Sequence, residues 1–232
     1  MSDASEKVLG IKHLPLFPLP LVLLPNELLP LHIFEPRYRQ MLEDLPLKKN
    51  MFGITFLNQN ETDSDKPEVG SVGCVAEVRE VNKLDDGRSN VLTLGIIRYR
   101  LLDYVDTGDL YYVGEVEFFE DEAEDETLVE EAADEVYALF KRIANAAHKL
   151  SGQAGELDDI PQAPPEMLSF LVTAAFNLDN EMKYELLEMT STTERLKKLR
   201  EILSKAVGKM EESADIHKLA QTNGHSKKKI NL

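Results

Sequence analysis

The sequence predicts an α+β protein in which a run of strands precedes a run of helices. Between Met51 and Phe119, runs of β-branched and aromatic residues alternate with short polar or glycine-containing turns. From Glu126 onward, apolar residues recur every three or four positions, which is the period of an amphipathic helix. Such segregation of strands and helices is the α+β arrangement, and 232 residues suffice for one large domain or two small ones.

Five of the eleven prolines fall between Pro15 and Pro30, in LPLFPLPLVLLPNELLPLHIF. Each fixes φ and removes a backbone donor, so this stretch reads as short extended pieces joined by turns. Glu35-Pro36 opens a short helix, since proline suits the first helical position. Tyr38, Met41, Leu42 and Leu45 follow at helical spacing, and Pro46 closes it. The strand candidates are MFGITFL, VGSVGCVAEVREV, SNVLTLGIIRYRLLDYV and LYYVGEVEFF. Asp86-Gly87 between the second and third predicts a hairpin with a two-residue primed turn. Short connections between these runs predict an antiparallel sheet curled into a barrel or small sandwich.

Val129, Ala132, Ala133, Val136, Leu139, Phe140, Ile143, Ala147 and Leu150 predict one long helix over Glu126 to Leu150. Asp121 to Glu131 crowd its start with acids, where the helix dipole favours negative charge. SGQAGELDDIPQAPP reads as a loop, and Pro164-Pro165 starts a second helix through Leu168, Leu171, Val172 and Phe176. Asp179 caps a short third helix carrying Met182, Leu186 and Leu187. Ser191 with Glu194 forms a capping box for a fourth, lined by Leu196, Leu199, Ile202, Leu203, Ala206 and Met210. The expected organisation is a disordered N-terminus over 1–12, a β-rich subdomain over 13–121, a helical subdomain over 122–211 and a disordered tail over 212–232.

The 26 Lys and Arg against 42 Asp and Glu give a net charge of −16, which repels a polyphosphate at long range and disfavours a general nucleic-acid binder. The excess is local: Leu101 to Phe140 contains fifteen acids and no Lys, Arg or His, and the remainder is close to neutral. A single cysteine, Cys74, permits no internal disulfide. The start has neither a secretory nor a transit pattern, and no apolar run approaches the ~18–20 residues of a membrane span. A cytoplasmic protein is expected.

Motifs for chemistry are scarce. No GxxxxGK[ST] phosphate loop and no GxSxG elbow occur. The histidines at 13, 32, 148, 217 and 225 include no i, i+4 pair for zinc. Cys74, in the apolar run VGCVAEV, reads as core rather than nucleophile. The acidic stretch Glu115 to Glu135 lacks a calcium loop, and Lys227 to Lys229 reads as a solubilising tail. No catalytic residue, cofactor or metal is expected.

LPLFPLPLVLLPNELLPLHIFEPRYRQML, Leu14 to Leu42, resembles the opening of the N-terminal substrate-binding domain of the Lon protease family. Later blocks agree in order: FGITFL, VGSVGCVAEV, DDGRSNVLTLGIIRYRLLDY, YYVGEVEFFED and PPEMLSFLVTAAFNLDNEMKYELLEMTSTTERLKKL. Tyr184 stands where a glutamine is common. The resemblance covers roughly Leu14 to Lys209. It implies a PUA-like β-rich pseudo-barrel followed by a helical bundle, and a role in holding protein segments rather than cutting them. In Lon proteases the ATPase and Ser-Lys peptidase domains follow this region, so a non-catalytic chain is expected. Within the motif, Glu35 is expected to accept helix-start amides and Arg37 to reach a carboxylate or carbonyls of the barrel. Phe34, Tyr38 and Met41 suit either core packing or an unfolded segment, with core packing favoured.

The leading functional expectation is a non-catalytic module that binds unfolded or specific protein segments, or a protease or chaperone partner in proteolysis. The alternative is an RNA-binding accessory using a PUA-like barrel with a basic cleft at Arg98 and Arg100, which is an analogy of fold alone. A hydrolase finds no supporting constellation.

Overall fold

The computed structural model describes residues 2–58, 64–150 and 162–223. Six strands form one sheet: β1 (His13–Leu19), β2 (Leu28–Ile33), β3 (Met51–Phe56), β4 (Val72–Lys83), β5 (Ser89–Val105) and β6 (Tyr112–Phe119). The sheet order is β2-β5-β4-β3-β1-β6, and β6 also pairs with β5. Strands β1, β3, β4, β5 and β6 therefore close into a ring, while β2 lies outside it on the first half of β5. The mixed α+β architecture expected from the sequence is present.

One pairing departs from the expected antiparallel sheet. Strand β1 runs parallel to β3, with Leu16 opposite Gly53 and Leu19 opposite Phe56. Parallel neighbours need a crossover of a dozen or more residues, and the chain between them supplies β2, α2 (Pro36–Asp44) and a 3-10 turn (Leu45–Lys48). The hairpin between β4 and β5 is also built differently. Leu84 N–H donates to Arg88 O at 2.8 Å and Gly87 N–H to Leu84 O at 3.0 Å, which leaves a three-residue loop. Gly87 alone has positive φ, 82°, while Asp86 does not. This is the turn-plus-bulge solution, the next most common after the two-residue primed turn.

Strand β5 is long because it serves two regions of the sheet in succession. Its first half, Ser89 to Leu94, pairs with β2 and with the end of β4. Its second half, Arg98 to Val105, pairs with β6. Register shifts in β4 at Cys74/Ala76 and Val78/Glu80, and between Leu101 and Asp103 opposite β6, bend the strands between the two regions. The result is a closed barrel with a three-stranded arm of β2, β5 and β4.

Inside the barrel Tyr99 is fully buried, and its hydroxyl meets Thr55 Oγ1 at 2.6 Å. A Cβ at Gly53 or Gly73 would approach within 2.5 Å of the Tyr99 ring or its hydroxyl, so both positions must lack one. Leu14, Leu16, Val75, Ile97 and Leu101 pack around this ring. Helix α2 covers a second cluster, in which Tyr38, Met41 and Leu45 meet Phe17, Phe52 and Ile54. Cys74 belongs to the same cluster, and burial raises its thiol pKa far above the ordinary range, as befits an inert core residue.

From Ser2 onward the N-terminal stretch carries regular structure, where disorder is expected over 1–12. A short helix α1 (Asp3–Lys7) is capped by Ser2, whose Oγ accepts from Ser5 N–H at 3.1 Å. Val8 is buried with Leu14 and Val75, and Lys49 Nζ donates to Leu9 O at 2.8 Å. The buried Val8 anchors this stretch to the barrel.

Four helices follow the strands: α3 (Glu126–Leu150), α4 (Pro165–Ala175), α5 (Asn180–Glu188) and α6 (Thr192–Asn223). They do not form one helical half. The chain divides into two compact units, Met1–Glu122 with Phe170–Thr190, and Ala123–Ser169 with Ser191–Leu232. The end of α4 and all of α5 thus cluster with the barrel, because Phe170 and Leu187 pack with Val22, Leu24 and Val72. Tyr184 contributes there too: its hydroxyl accepts from Val72 N–H at 3.1 Å and its ring meets Phe56. Asp179 caps α5 as expected, accepting from Met182 N–H at 2.8 Å.

In the second unit α3 packs along α6. Glu124 accepts from Thr193 N–H and Glu135 pairs with Arg200, so the two helices run in the same direction. Ala133, Val136, Ile143 and Ala146 of α3 and Leu196, Leu199, Leu203 and Val207 of α6 are their buried apolar residues among those described. Only half of the expected capping box forms: Ser191 Oγ accepts from Glu194 N–H at 3.1 Å, while the Glu194 carboxylate takes Lys197 Nζ at 2.8 Å. Helix α6 continues to Asn223, past the start of the tail expected at 212. Glu, Ala, Lys, Leu and Gln in that stretch are good helix formers even where apolar periodicity fades. The side chains of Leu150 and Met210, the loop over 151–161 and the tail over 224–232 lie outside the described residues.

One buried cation fixes α5 to the barrel. Arg98, on the face of β5 opposite Tyr99, is 1% exposed. It pairs with Asp121 and donates to Leu187 O at 3.1 Å and Met189 O at 2.6 Å. Its guanidinium lies 4.6 Å from the Phe119 ring centre and 5.3 Å from that of Phe170. Removing one partner of such a pair strands the other charge in the interior. Arg98→Ala is expected to lower stability by about 3–5 kcal/mol, read as a reduced urea midpoint with an unchanged denaturant slope.

Candidate functional site

The HIFEPRYR block runs from the end of β2 into α2, and its residues divide cleanly by environment. Tyr38 and Met41 are buried, with Tyr38 3.9 Å from Phe17 between ring centres. Burial pushes the Tyr38 phenol up to about 12. Phe34, by contrast, is 59% exposed and stacks on His32. Core packing therefore claims two of the three apolar residues singled out in the motif and leaves the third outside.

Glu35 occupies the N-cap of α2, but its side chain makes no capping hydrogen bond. Its backbone carbonyl instead accepts from Tyr38 N–H at 3.1 Å and Arg39 N–H at 3.0 Å. The carboxylate accepts from Arg37 Nε at 2.9 Å, and Arg37 reaches on to Asp65 at 2.5 Å. Asp65 also accepts from Tyr112 Oη at 2.8 Å, and the neighbouring Lys66 ammonium sits 3.8 Å from the Tyr104 ring centre. Hydrogen bonds from Arg37 and then Tyr112 hold the Asp65 carboxyl below its ordinary 3.8. Arg37 thus ties α2 to the segment between β3 and β4, a structural use of the motif's charge pattern.

Beside this block lies a groove of about 420 Å³ between α2 and the β4–β5 arm. Leu42, Leu45 and Pro46 form one wall, and Val78, Val81 and Leu84 form the other. Arg39 and Glu43 of α2 and Lys83 of β4 bring charge to it. Leu47, next to Pro46, is 90% exposed, and Val81 is 46% exposed. A second depression of about 400 Å³ crosses β2, β5 and β4 at Pro30, His32, Val81 and Leu92. Val81 lines both. Sequence reading missed the groove because its walls are two elements distant along the chain, and only the exposed Leu47 beside a proline carried any local signal.

The basic cleft proposed for Arg98 and Arg100 is not formed. Arg98 is buried against Asp121, and Arg100 donates to Gly70 O at 3.0 Å beside the Phe119 ring. Among the described residues no group of three or more His, Cys, Asp or Glu is placed to hold a metal ion. His32 meets Asn90 at 2.8 Å, a surface contact. No helix among the described residues is long and apolar enough to cross a membrane.

Residues 13–205 match the family described as the ATP-dependent protease La (LON) substrate-binding domain. The chain belongs to the Lon substrate-binding domain family. Lon protease of Brevibacillus choshinensis is 28% identical over 200 residues, covering 84% of this chain and 25% of that protein. Lon protease of Escherichia coli K12 is 27% identical over 205 residues, covering 85% and 25%. The chain thus spans about a quarter of the length of these relatives. The N-terminal domain of Mycobacterium avium complex Lon protease has the same fold, with a TM-score of 0.59, 21% identity and coverage of 83% of this chain and 98% of that one. The Lon N-terminal domain protein from Xanthomonas campestris gives a TM-score of 0.56 at 22% identity, covering 82% and 97%. The matched region is the Lon substrate-binding part, which these comparisons align across barrel and helices alike.

Within this Lon domain the Arg37–Asp65 contact has a measurable signature. A carboxyl with a depressed folded pKa contributes stability above its unfolded pKa, and that contribution disappears as pH falls through the folded value. Carboxyl NMR is expected to show Asp65 titrating below 3.8, and Arg37→Met is expected to move its midpoint upward. A midpoint unaffected by the substitution would show that Arg37 does not hold the carboxylate in solution.

Proposed function

We propose that this chain is a non-catalytic module that holds unfolded or locally extended polypeptide segments, and that it presents them to a protease as an adaptor. The observation that carries this reading is the apolar groove between α2 and the β4–β5 arm, with exposed Leu47 next in the chain to its wall residue Pro46. A cleft of this size with aliphatic walls accepts one or two large side chains. Membership of a substrate-binding family supports a polypeptide as the occupant. The proposed partners are protein segments and a protease or chaperone, in the cytoplasm.

RNA is disfavoured as the ligand. The groove carries two cations and one carboxylate, and the chain as a whole bears −16, so phosphate neutralisation has little to draw on.

The test uses surface residues whose replacement leaves the core untouched. Leu47→Asp and Val81→Asp are each expected to weaken binding of reduced, carboxymethylated lactalbumin by about tenfold or more, the loss of one desolvated aliphatic anchor. Thermal denaturation of both variants should stay close to that of the parent. Full binding by the double variant would exclude the groove as the site. Adaptor action is tested by adding the chain to a full-length Lon protease, where an unchanged degradation rate for the bound substrate would rule it out.

A further inference from the structure

The charges at the groove point to a chemical class of segment, an inference that rests on the groove being the polypeptide site. Most arginines on this acidic chain meet a carboxylate of their own: Arg37 with Glu35 and Asp65, Arg79 with Glu77, Arg88 with Asp86, Arg98 with Asp121 and Arg200 with Glu135. The Arg39 guanidinium makes no hydrogen bond or ion pair with any described residue. Its helical i+4 neighbour Glu43 stands within reach of such a pair, yet the Arg39 side chain turns across the groove to the β4–β5 loop. There its Cζ lies 3.0 Å from the place a Cβ would occupy at Gly87. Glycine at that position, required in any case by φ of 82°, leaves room for the guanidinium against the turn. Lys83, at the end of β4, adds a second cation on the same wall, its ammonium also without a hydrogen bond or ion pair among the described residues.

We infer that the groove selects segments in which an Asp or Glu lies next to the apolar anchor residue. The anchor enters between Leu42, Leu45 and Val81, and the adjacent carboxylate meets Arg39 and Lys83 at the mouth. An arginine fork accepts a carboxylate with two parallel hydrogen bonds, stronger and more directional than a neutral contact. Glu43 works against such an occupant, which leaves a net attraction of one charge and gives the proposal a second handle.

Three fluorescein-labelled peptides test it, alike except that a central Leu-Phe anchor is followed by Asp, Asn or Lys. Fluorescence anisotropy is expected to rank Asp over Asn by about tenfold, the scale of one charge-assisted contact, and Lys below Asn. Arg39→Gln with Lys83→Gln should bring the three peptides together. Glu43→Gln should tighten the Asp peptide while leaving the Asn peptide nearly unchanged. Equal affinities for all three peptides in the parent protein, with binding still lost in Leu47→Asp, would overturn the acidic selection and leave the groove as an unselective apolar site. Binding of none of the peptides, or binding unaffected by Leu47→Asp, would overturn both readings.

Discussion

The interaction on which the barrel unit depends is the enclosure of Arg98. A guanidinium on the outer face of a barrel strand would ordinarily extend into water. Here two backbone carbonyls at the end of α5, the Asp121 carboxylate and the faces of Phe119 and Phe170 replace that water. Because desolvating the charge is expensive unless every partner is in place, the arrangement is nearly all-or-none. The strand β5, the end of β6 and the segment after α5 must therefore assemble together. The same demand explains why α5, distant along the chain, joins the barrel rather than the α3–α6 pair. A backbone link continues the contact, with Glu122 N–H donating to Thr190 O at 2.9 Å.

With β5 anchored at Arg98, its earlier half is free to leave the barrel wall. The register shifts in β4 and the three-residue loop at Gly87 turn that half into an arm, to which β2 adds a third strand. The arm has one face toward α2, and α2 is itself held by the buried Tyr38 and Met41 and by the Arg37 contacts to Glu35 and Asp65. The groove is what remains between two rigidly seated elements. Its walls belong to secondary structure rather than to a long loop, so its shape is preorganised and a bound segment bears most of the ordering entropy.

Much of the fold was legible because local signals and tertiary packing agree. The limits of β5, the span of α3 and the Asp179 cap could all be read from periodicity and capping chemistry, which act over a few residues. What escaped depends on distant residues. Nothing in LPLFPLPL states that its strand runs parallel to MFGITF, since the reason lies in the long connection between them. Nothing in RYR distinguishes Arg98, which is buried, from Arg100, which reaches only a loop carbonyl. Val8 looked like one more residue of a polar terminus until the barrel offered it a place beside Leu14. The candidate site was the least legible part. Tyr38 and Met41 advertised themselves by hydrophobicity and went into the core, while Leu42, Val81 and Arg39 acquire meaning only when α2 and the arm face each other.

Charge distribution bears on how an acidic protein can favour an acidic segment. A uniform −16 would repel such a segment over the roughly 8–10 Å that physiological salt leaves unscreened. The excess is instead concentrated between Leu101 and Phe140, on strands β5 and β6 past the arm and on the start of α3. The stretch from Glu35 to Arg100 that supplies the groove is nearly balanced. Long-range repulsion therefore acts mainly on the rate of encounter, whereas contact with Arg39 and Lys83 acts on the lifetime of the complex once the anchor is seated. In the proposed complex, apolar burial provides the affinity and the two cations provide the choice. A polypeptide with the anchor but the wrong neighbour is still held, only more briefly, which suits a module that samples many chains and retains a few.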